Sequence, residues 1–279
     1  MKKFKKLIPA LCMLLVSAIL LGGSTYAWFS MNDTVSANGM TVEAVANTKF
    51  LVISADSANL GTSASVGLTK ESGYGIKAAT GDTYTDTVHP SAFNNSDTEI
   101  KVKQGTGEVG VAAYNWYTAF SSAYNSSNGQ ITDAHSKVVS LGASSSETLK
   151  PYVLKYVMYI GLAEGSGTVT GKITAKPTFT LKAGATGTIS AAVKALVEIS
   201  TGETTDPQRA VLTTTDQTSG HQFTNNITLT AKEGATAAKY ATVTVYMFVD
   251  GTHEDVKDLT TANLAGNLQI DFTMSNIAN

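Results

Sequence analysis

One cysteine and one arginine are all that the 279-residue chain holds of each. The cysteine, Cys12, lies in an apolar run at the N-terminus. Pro9, Ala10 and Leu11 precede it and mostly apolar residues follow, so it is not a lipid-anchoring cysteine. Beyond that run the chain has no cysteine, which excludes a disulfide framework and thiolate chemistry. The arginine, Arg209, stands alone, and no Lys/Arg cluster occurs in the body of the chain. Nucleic-acid binders neutralise phosphates with such clusters, so that partner class is not expected. Only four histidines occur, His89, His135, His221 and His253, and none forms an H-E-x-x-H pair. A G-x-S-x-G elbow is missing too. No catalytic residues, cofactor or metal site are therefore expected, and the chain does not read as an enzyme.

Two weaker patterns have plainer readings. Gly105, Gly107 and Gly110 match the dinucleotide fingerprint, but the preceding stretch, Glu99–Lys103, is half polar and no βαβ alternation follows. A glycine-rich hairpin is the expectation there. Asp250, Glu254, Asp255 and Asp258 form the densest acidic patch. Its spacing fails the calcium-loop pattern, which leaves weak cation binding as the alternative to a solvated turn.

The N-terminus carries Lys2, Lys3, Lys5 and Lys6, then an apolar run from Leu7 to Leu21, then Gly22, Gly23 and Ser24. Thr25, Tyr26 and Ala27 place small residues three and one positions before Trp28. These are the parts of a secretory signal peptide, with cleavage expected between Ala27 and Trp28. The run has 15 residues, short of the ~20 that span a bilayer. An uncleaved anchor continuing through Ala27, Trp28 and Phe29 is the alternative, and membrane contact is expected only through this segment. Cleavage removes four lysines and leaves 16 basic against 22 acidic residues, a net charge of −6. The expected mature domain, 28–279, is long enough for one large β core.

Past residue 30 the dominant period is two. Apolar residues occupy every odd position from Ile189 to Ile199 and from Ala241 to Val249, and every even position from Leu268 to Met274. Such alternation marks half-buried strands. Shorter candidates are Thr41–Ala46, Phe50–Ser54, Glu99–Lys103, Thr168–Leu181, Ala210–Thr214 and Asn226–Ala231. Tyr152–Leu162 is apolar on both faces, which predicts a central strand covered on both sides, with a buried helix as the alternative. Residues 56–97 read as long polar loops with at most one short strand. The segments Asn125–Gln130 and Ser144–Glu147 read as surface turns, and Val111–Tyr124 hints at helix. About ten strands with little helix predict an all-β fold, a single β-sandwich or jelly roll.

Tyr114, Trp116, Tyr117, Phe120 and Tyr124 cluster in sequence. Flat aromatic faces suit a glycan or peptide platform, and they suit equally the closed end of a core. The platform reading makes the chain a surface adhesin or binding module. No L-P-x-T-G motif occurs, and Ile277–Asn279 forms no apolar tail. Retention at a cell surface would then require self-association, an uncleaved N-terminus or another partner.

The junction Gly23–Ser30 resembles that of the TasA/camelysin-like exported proteins of Gram-positive bacteria, where T-Y-A, an aromatic residue and F mark processing. Residues 32–42 are similar to that group's first mature strand. Val245–Thr252 is similar to a late strand of related clostridial proteins ending in W-x-E-G-T-D. This chain has Phe248, Val249 and Asp250 for W-x-E and His253 for the last aspartate. The resemblance implies a jelly-roll fold, export through a dedicated signal peptidase, and assembly into biofilm-matrix fibres. Some members of that family are described as metalloendopeptidases, an activity not carried over because no zinc-ligand motif is present.

A physical route to assembly runs through the new N-terminus. Trp28, Phe29, Val35, Met40 and Val42 would line a segment able to add as a donor strand to a neighbouring copy. Five such side chains at ~2 kcal/mol each offer about 10 kcal/mol before association costs. In the alternative, residues 28–46 complete their own domain's sheet.

Overall fold

The computed structural model describes residues 41–46, 51–58, 60, 63–78, 82–104, 107–118, 124–125, 130–131, 138–181, 187–202, 206–234, 237–253, 256 and 266–275. The expected signal peptide 1–27, the junction at Ala27 and Trp28, and Phe29, Val35, Met40, Phe120, Glu254, Asp255 and Asp258 lie outside them. The described residues are all-β, with nineteen strands numbered β1 to β19 along the chain.

Two sheets have five strands each. The first runs β15 (Gln208–Leu212), β14 (Val193–Thr201), β18 (Ala241–Val249), β11 (Leu154–Leu162), β2 (Leu51–Ser54), all neighbours antiparallel. The second runs β16 (His221–Gln222), β13 (Ile173–Leu181), β19 (Gly266–Met274), β1 (Val42–Ala46), β3 (Ser65–Leu68). Here β1 and β19 are parallel, with Val42 opposite Leu268 and Ala44 opposite Ile270. This is the one parallel ladder among the described strands.

A third sheet has β10 (Ser140–Gly142), β7 (Trp116–Thr118) and β4 (Ser91–Phe93). Three two-stranded ladders remain. They are β5 (Ile100–Gln104) with β6 (Gly107–Val111), β8 (Tyr124–Asn125) with β9 (Gln130–Ile131), and β12 (Thr168–Gly171) with β17 (Ile227–Thr230). The strand count exceeds the expected ten because many of these pieces are two to five residues long, too short to show a period.

Alternation decides the long strands. In β19 the buried set is Leu268, Ile270, Phe272 and Met274, and in β13 it includes Ile173, Ala175 and Phe179. Proline is normally kept out of a sheet interior because it cannot donate to a ladder. Pro177 is tolerated in β13 because β16 pairs only with Thr174 and Ala175, so the outer edge beside Pro177 is open. Gln217 Oε1 accepts the next outward N–H, that of Phe179, at 2.9 Å.

Two sequence expectations are corrected. The strand buried on both faces is β18, not Tyr152–Leu162. In β11 the residues Lys155, Val157 and Tyr159 stay half-buried. In β18, Tyr246 and Phe248 are buried along with Val243, Val245, Met247 and Val249, because a separate aromatic cluster covers their face. Over its described residues, 111–118 and 124, the helix hint of Val111–Tyr124 gives way to the end of β6, a turn at 112–115, β7 and the start of β8. A spacing of three arose there from a turn, not a helical face.

Residues 56–97 hold two short strands, β3 and β4, and an isolated bridge between Lys77 and Tyr84. Long-range main-chain bonds tie this polar stretch down: Glu71 N–H to Lys155 O at 2.8 Å and Gly75 N–H to Lys150 O at 2.8 Å. Lys70 Nζ adds bonds to Tyr84 O and Thr85 O and an ion pair with Asp86 at 2.9 Å. The expected glycine-rich hairpin is β5–β6, in which Gln104 faces Gly107.

At the end of β12 the backbones approach too closely for a side chain. A Cβ on Gly171 would sit 2.1 Å from Ser275 O. Ser275 cannot easily yield, since its N–H bonds Lys172 O at 2.9 Å and its Oγ accepts the Lys172 N–H at 2.8 Å. Gly171→Ala is expected to destabilise the protein by about 2–3 kcal/mol, read as a lowered urea midpoint at unchanged slope.

Candidate functional site

Glu198 on β14 and Arg209 on β15 are direct cross-strand partners. Their side chains leave the face that buries Val197, Ile199, Ala210 and Leu212 and share the opposite face with Leu196, Tyr246 and Phe248. Arg209 Nε donates to Glu198 Oε1 at 2.9 Å, and the two side chains keep only 18% and 12% exposure. Opposite charges facing across a ladder stabilise the pairing. Because the pair is largely withdrawn from water, losing one partner strands the other.

The ion pair is one end of a polar chain leading inward. The Ser144 hydroxyl donates to Glu198 Oε1 at 3.1 Å, and the indole Nε1–H of Trp116 donates to Ser144 Oγ at 3.2 Å. Trp116 is fully buried, with ring centroids 4.9 Å from Phe93 and from Phe248 and 6.1 Å from Tyr246. Burial pushes the Tyr246 phenol well above its usual range, the nearby Glu198 carboxylate adds to the rise, and the Ser144 hydroxyl offsets part of it. Burying an indole N–H without a partner is costly, so Ser144 answers a need set by the aromatic core.

Outward, the Arg209 guanidinium lies 4.5 Å from the centroid of the Tyr114 ring, a cation–π contact. Tyr114 has φ 53, the one non-glycine residue with a positive φ among the described residues. Such a conformation costs of order 1–3 kcal/mol and persists only where the surroundings hold it. Asn94 anchors the residues just before Tyr114. This buried side chain donates through Nδ2 to Thr98 O, Val111 O and Ala112 O at 2.9 to 3.2 Å. The Tyr114 N–H bonds Ser96 O at 3.3 Å.

Two clefts meet at this point and share Tyr114, Asp206 and Arg209. One, of about 290 Å³, adds Asn95, Gln208, His221 and Asn225. The other, of about 430 Å³, adds Asn115, Ser144, Ser145, Lys155, Glu198 and Tyr246. The arrangement presents fixed donors and acceptors around one aromatic ring, and it suits binding.

The aromatic platform expected from the sequence does not form among the described residues. Trp116 is 0% and Tyr117 7% exposed, and they belong to different core clusters. Tyr114 lines both clefts. Ser144, expected in a surface turn, is buried by the Trp116 and Glu198 contacts. In the acidic patch, Asp250 is 8% exposed and pairs with Lys194, while its Oδ1 accepts the Thr252 N–H and hydroxyl. Among the described residues no group of three His, Cys, Asp or Glu side chains converges as a metal site. Val42, a candidate donor-strand residue, sits buried in β1 inside the chain's own sheet. Sequence reasoning missed Glu198 and Arg209. The usable signal was a lone arginine near a strand carrying an acid on its polar face.

No family model, curated protein or solved structure matches the chain.

Trp116→Ala is expected to cost about 3–5 kcal/mol, and Trp116→Phe, which removes the N–H, about 1 kcal/mol. Chemical unfolding of both variants checks this. A change within about 0.5 kcal/mol for Trp116→Ala, the behaviour of an exposed residue, would restore the platform reading.

Proposed function

We propose that the chain is an exported structural subunit of an extracellular fibre, assembled by passing its N-terminal strand to a neighbouring copy. In this reading a signal peptidase cleaves between Ala27 and Trp28. The apolar faces of the two five-stranded sheets pack as a jelly-roll-like sandwich. The product lies at the cell surface or in the surrounding matrix, the setting that the junction at Gly23–Ser30 resembles.

The observation that carries the proposal is the position of β1. It is the most N-terminal described strand, it lies between β19 and β3, and it runs parallel to β19 in an otherwise antiparallel sheet. A terminal strand can leave and be replaced by the same strand of another copy without rethreading the chain. The exchanged state keeps every ladder bond and the burial of Val42 and Ala44, so only association entropy opposes it. Trp28, Phe29, Val35 and Met40 precede β1 and supply further apolar contact in the neighbour. Head-to-tail exchange whose rotation does not close a ring yields filaments.

Negative-stain electron microscopy of residues 28–279 over a concentration series tests this. Regular filaments are expected, increasing with concentration, and a chain beginning at residue 41, which keeps β1, should remain dispersed. Folded monomers of 28–279 at every concentration would overturn the proposal.

A further inference from the structure

The clefts at Tyr114, Glu198 and Arg209 are independent of strand exchange and lie on other strands. We propose that they bind a neutral glycan chain, which would give the protein a ligand-binding function beside any structural one.

Charge narrows the ligand class first. Glu198 and Asp206 stand against Arg209 and Lys155, so the four ionised groups lining the larger cleft cancel. A polyanion would need a net positive surface, and Arg209 is already neutralised at 2.9 Å by Glu198. A divalent cation would need carboxylates without a guanidinium between them. The smaller cleft is walled mainly by polar atoms, and in the larger, where polar and apolar surface are about equal, an apolar ligand would have to desolvate four charged side chains.

Hydrogen bonding narrows it further. Arg209 spends Nε on Glu198 and Nη1 on Pro207 O, and Nη2 has no bond to a described residue. Glu198 spends Oε1 on Arg209 and Ser144, and Oε2 likewise has no bond to a described residue. A donor and an acceptor fixed by the same ion pair match neighbouring hydroxyls, which accept from one and donate to the other. Gln208 is held rigid by two bonds to the Asn225 backbone, at 2.8 and 3.2 Å. That rigidity lowers the ordering cost of binding.

Shape points to an extended ligand. The larger cleft, about 430 Å³, falls in the ~300–1,000 Å³ range of small-molecule sites. The smaller shares Tyr114, Asp206 and Arg209 with it, so a ligand longer than one ring could reach both. Arg209 takes one face of the Tyr114 ring, and the half-exposed remainder of the ring would meet the C–H face of a pyranose. The strained Tyr114 backbone is what holds the ring in that place.

The test is a glycan array probed with labelled 28–279, followed by calorimetry with the best neutral oligosaccharide. Tyr114→Gly relieves the positive φ and should fold at least as well while weakening binding at least tenfold. Ser145→Tyr, a change at an exposed turn residue lining the larger cleft, should weaken it by a similar factor with an unchanged melting curve. The proposal is overturned by no glycan bound, by binding restricted to anionic glycans, or by binding that neither variant weakens. A peptide library that binds in place of glycans and is blocked by Ser145→Tyr overturns it as well.

Discussion

Tyr246 and Phe248 point away from the side of β18 that buries Val243, Val245, Met247 and Val249, yet both sets are excluded from water. A strand buried on both faces must be covered twice, and that requirement shapes the rest of the molecule. On the Tyr246 side the cover is Trp116 of β7, with Leu141, Leu149 and Val153. The small third sheet, too short to be stable alone, exists because β18 gives it an apolar surface to rest on.

The candidate site follows from the same requirement. Bringing a tryptophan onto β18 buries an indole N–H, which Ser144 accepts and Glu198 supports. The carboxylate so placed needs a counter-charge, supplied by Arg209 across the ladder. Arg209 in turn covers Tyr114, whose turn Asn94 holds from beneath. The clefts are thus the solvent end of a polar chain rooted in the core. A change at Trp116 acts on the site through packing, whereas a change at Ser145 acts on it through space alone.

The long strands were legible because alternation is a local property. Ala241–Val249 coincides with β18, and Leu268–Met274 differs from β19 by two residues at one end. The alternation from Ile189 starts too early because a turn intervenes: the Val193 N–H bonds Ser190 O and the Ala192 N–H bonds Ser190 Oγ. What depends on distant partners was not legible. The order in residues 56–97 comes from carbonyls of Lys150 and Lys155, and the pairing of Glu198 with Arg209 from the register of β14 on β15. Trp116 and Tyr114 are two positions apart in one aromatic cluster, but a left-handed turn sends one to the core and the other to a cleft.

Strand β1 is where fold and proposed assembly meet, since one slot between β19 and β3 serves a strand of the same chain or of another. Glu43 and Gln269 are partners across the β1–β19 ladder, and Glu43 is exposed. The chain beyond Cys12 has no other cysteine, so introduced thiols report without interference. The most direct measurement mixes a Glu43→Cys chain with a Gln269→Cys chain, both 28–279, under assembling and oxidising conditions. Strand exchange predicts disulfide-linked pairs containing one chain of each kind, increasing with concentration. Cross-linking found only within a chain carrying both substitutions, and never between the two singly substituted chains, would contradict it.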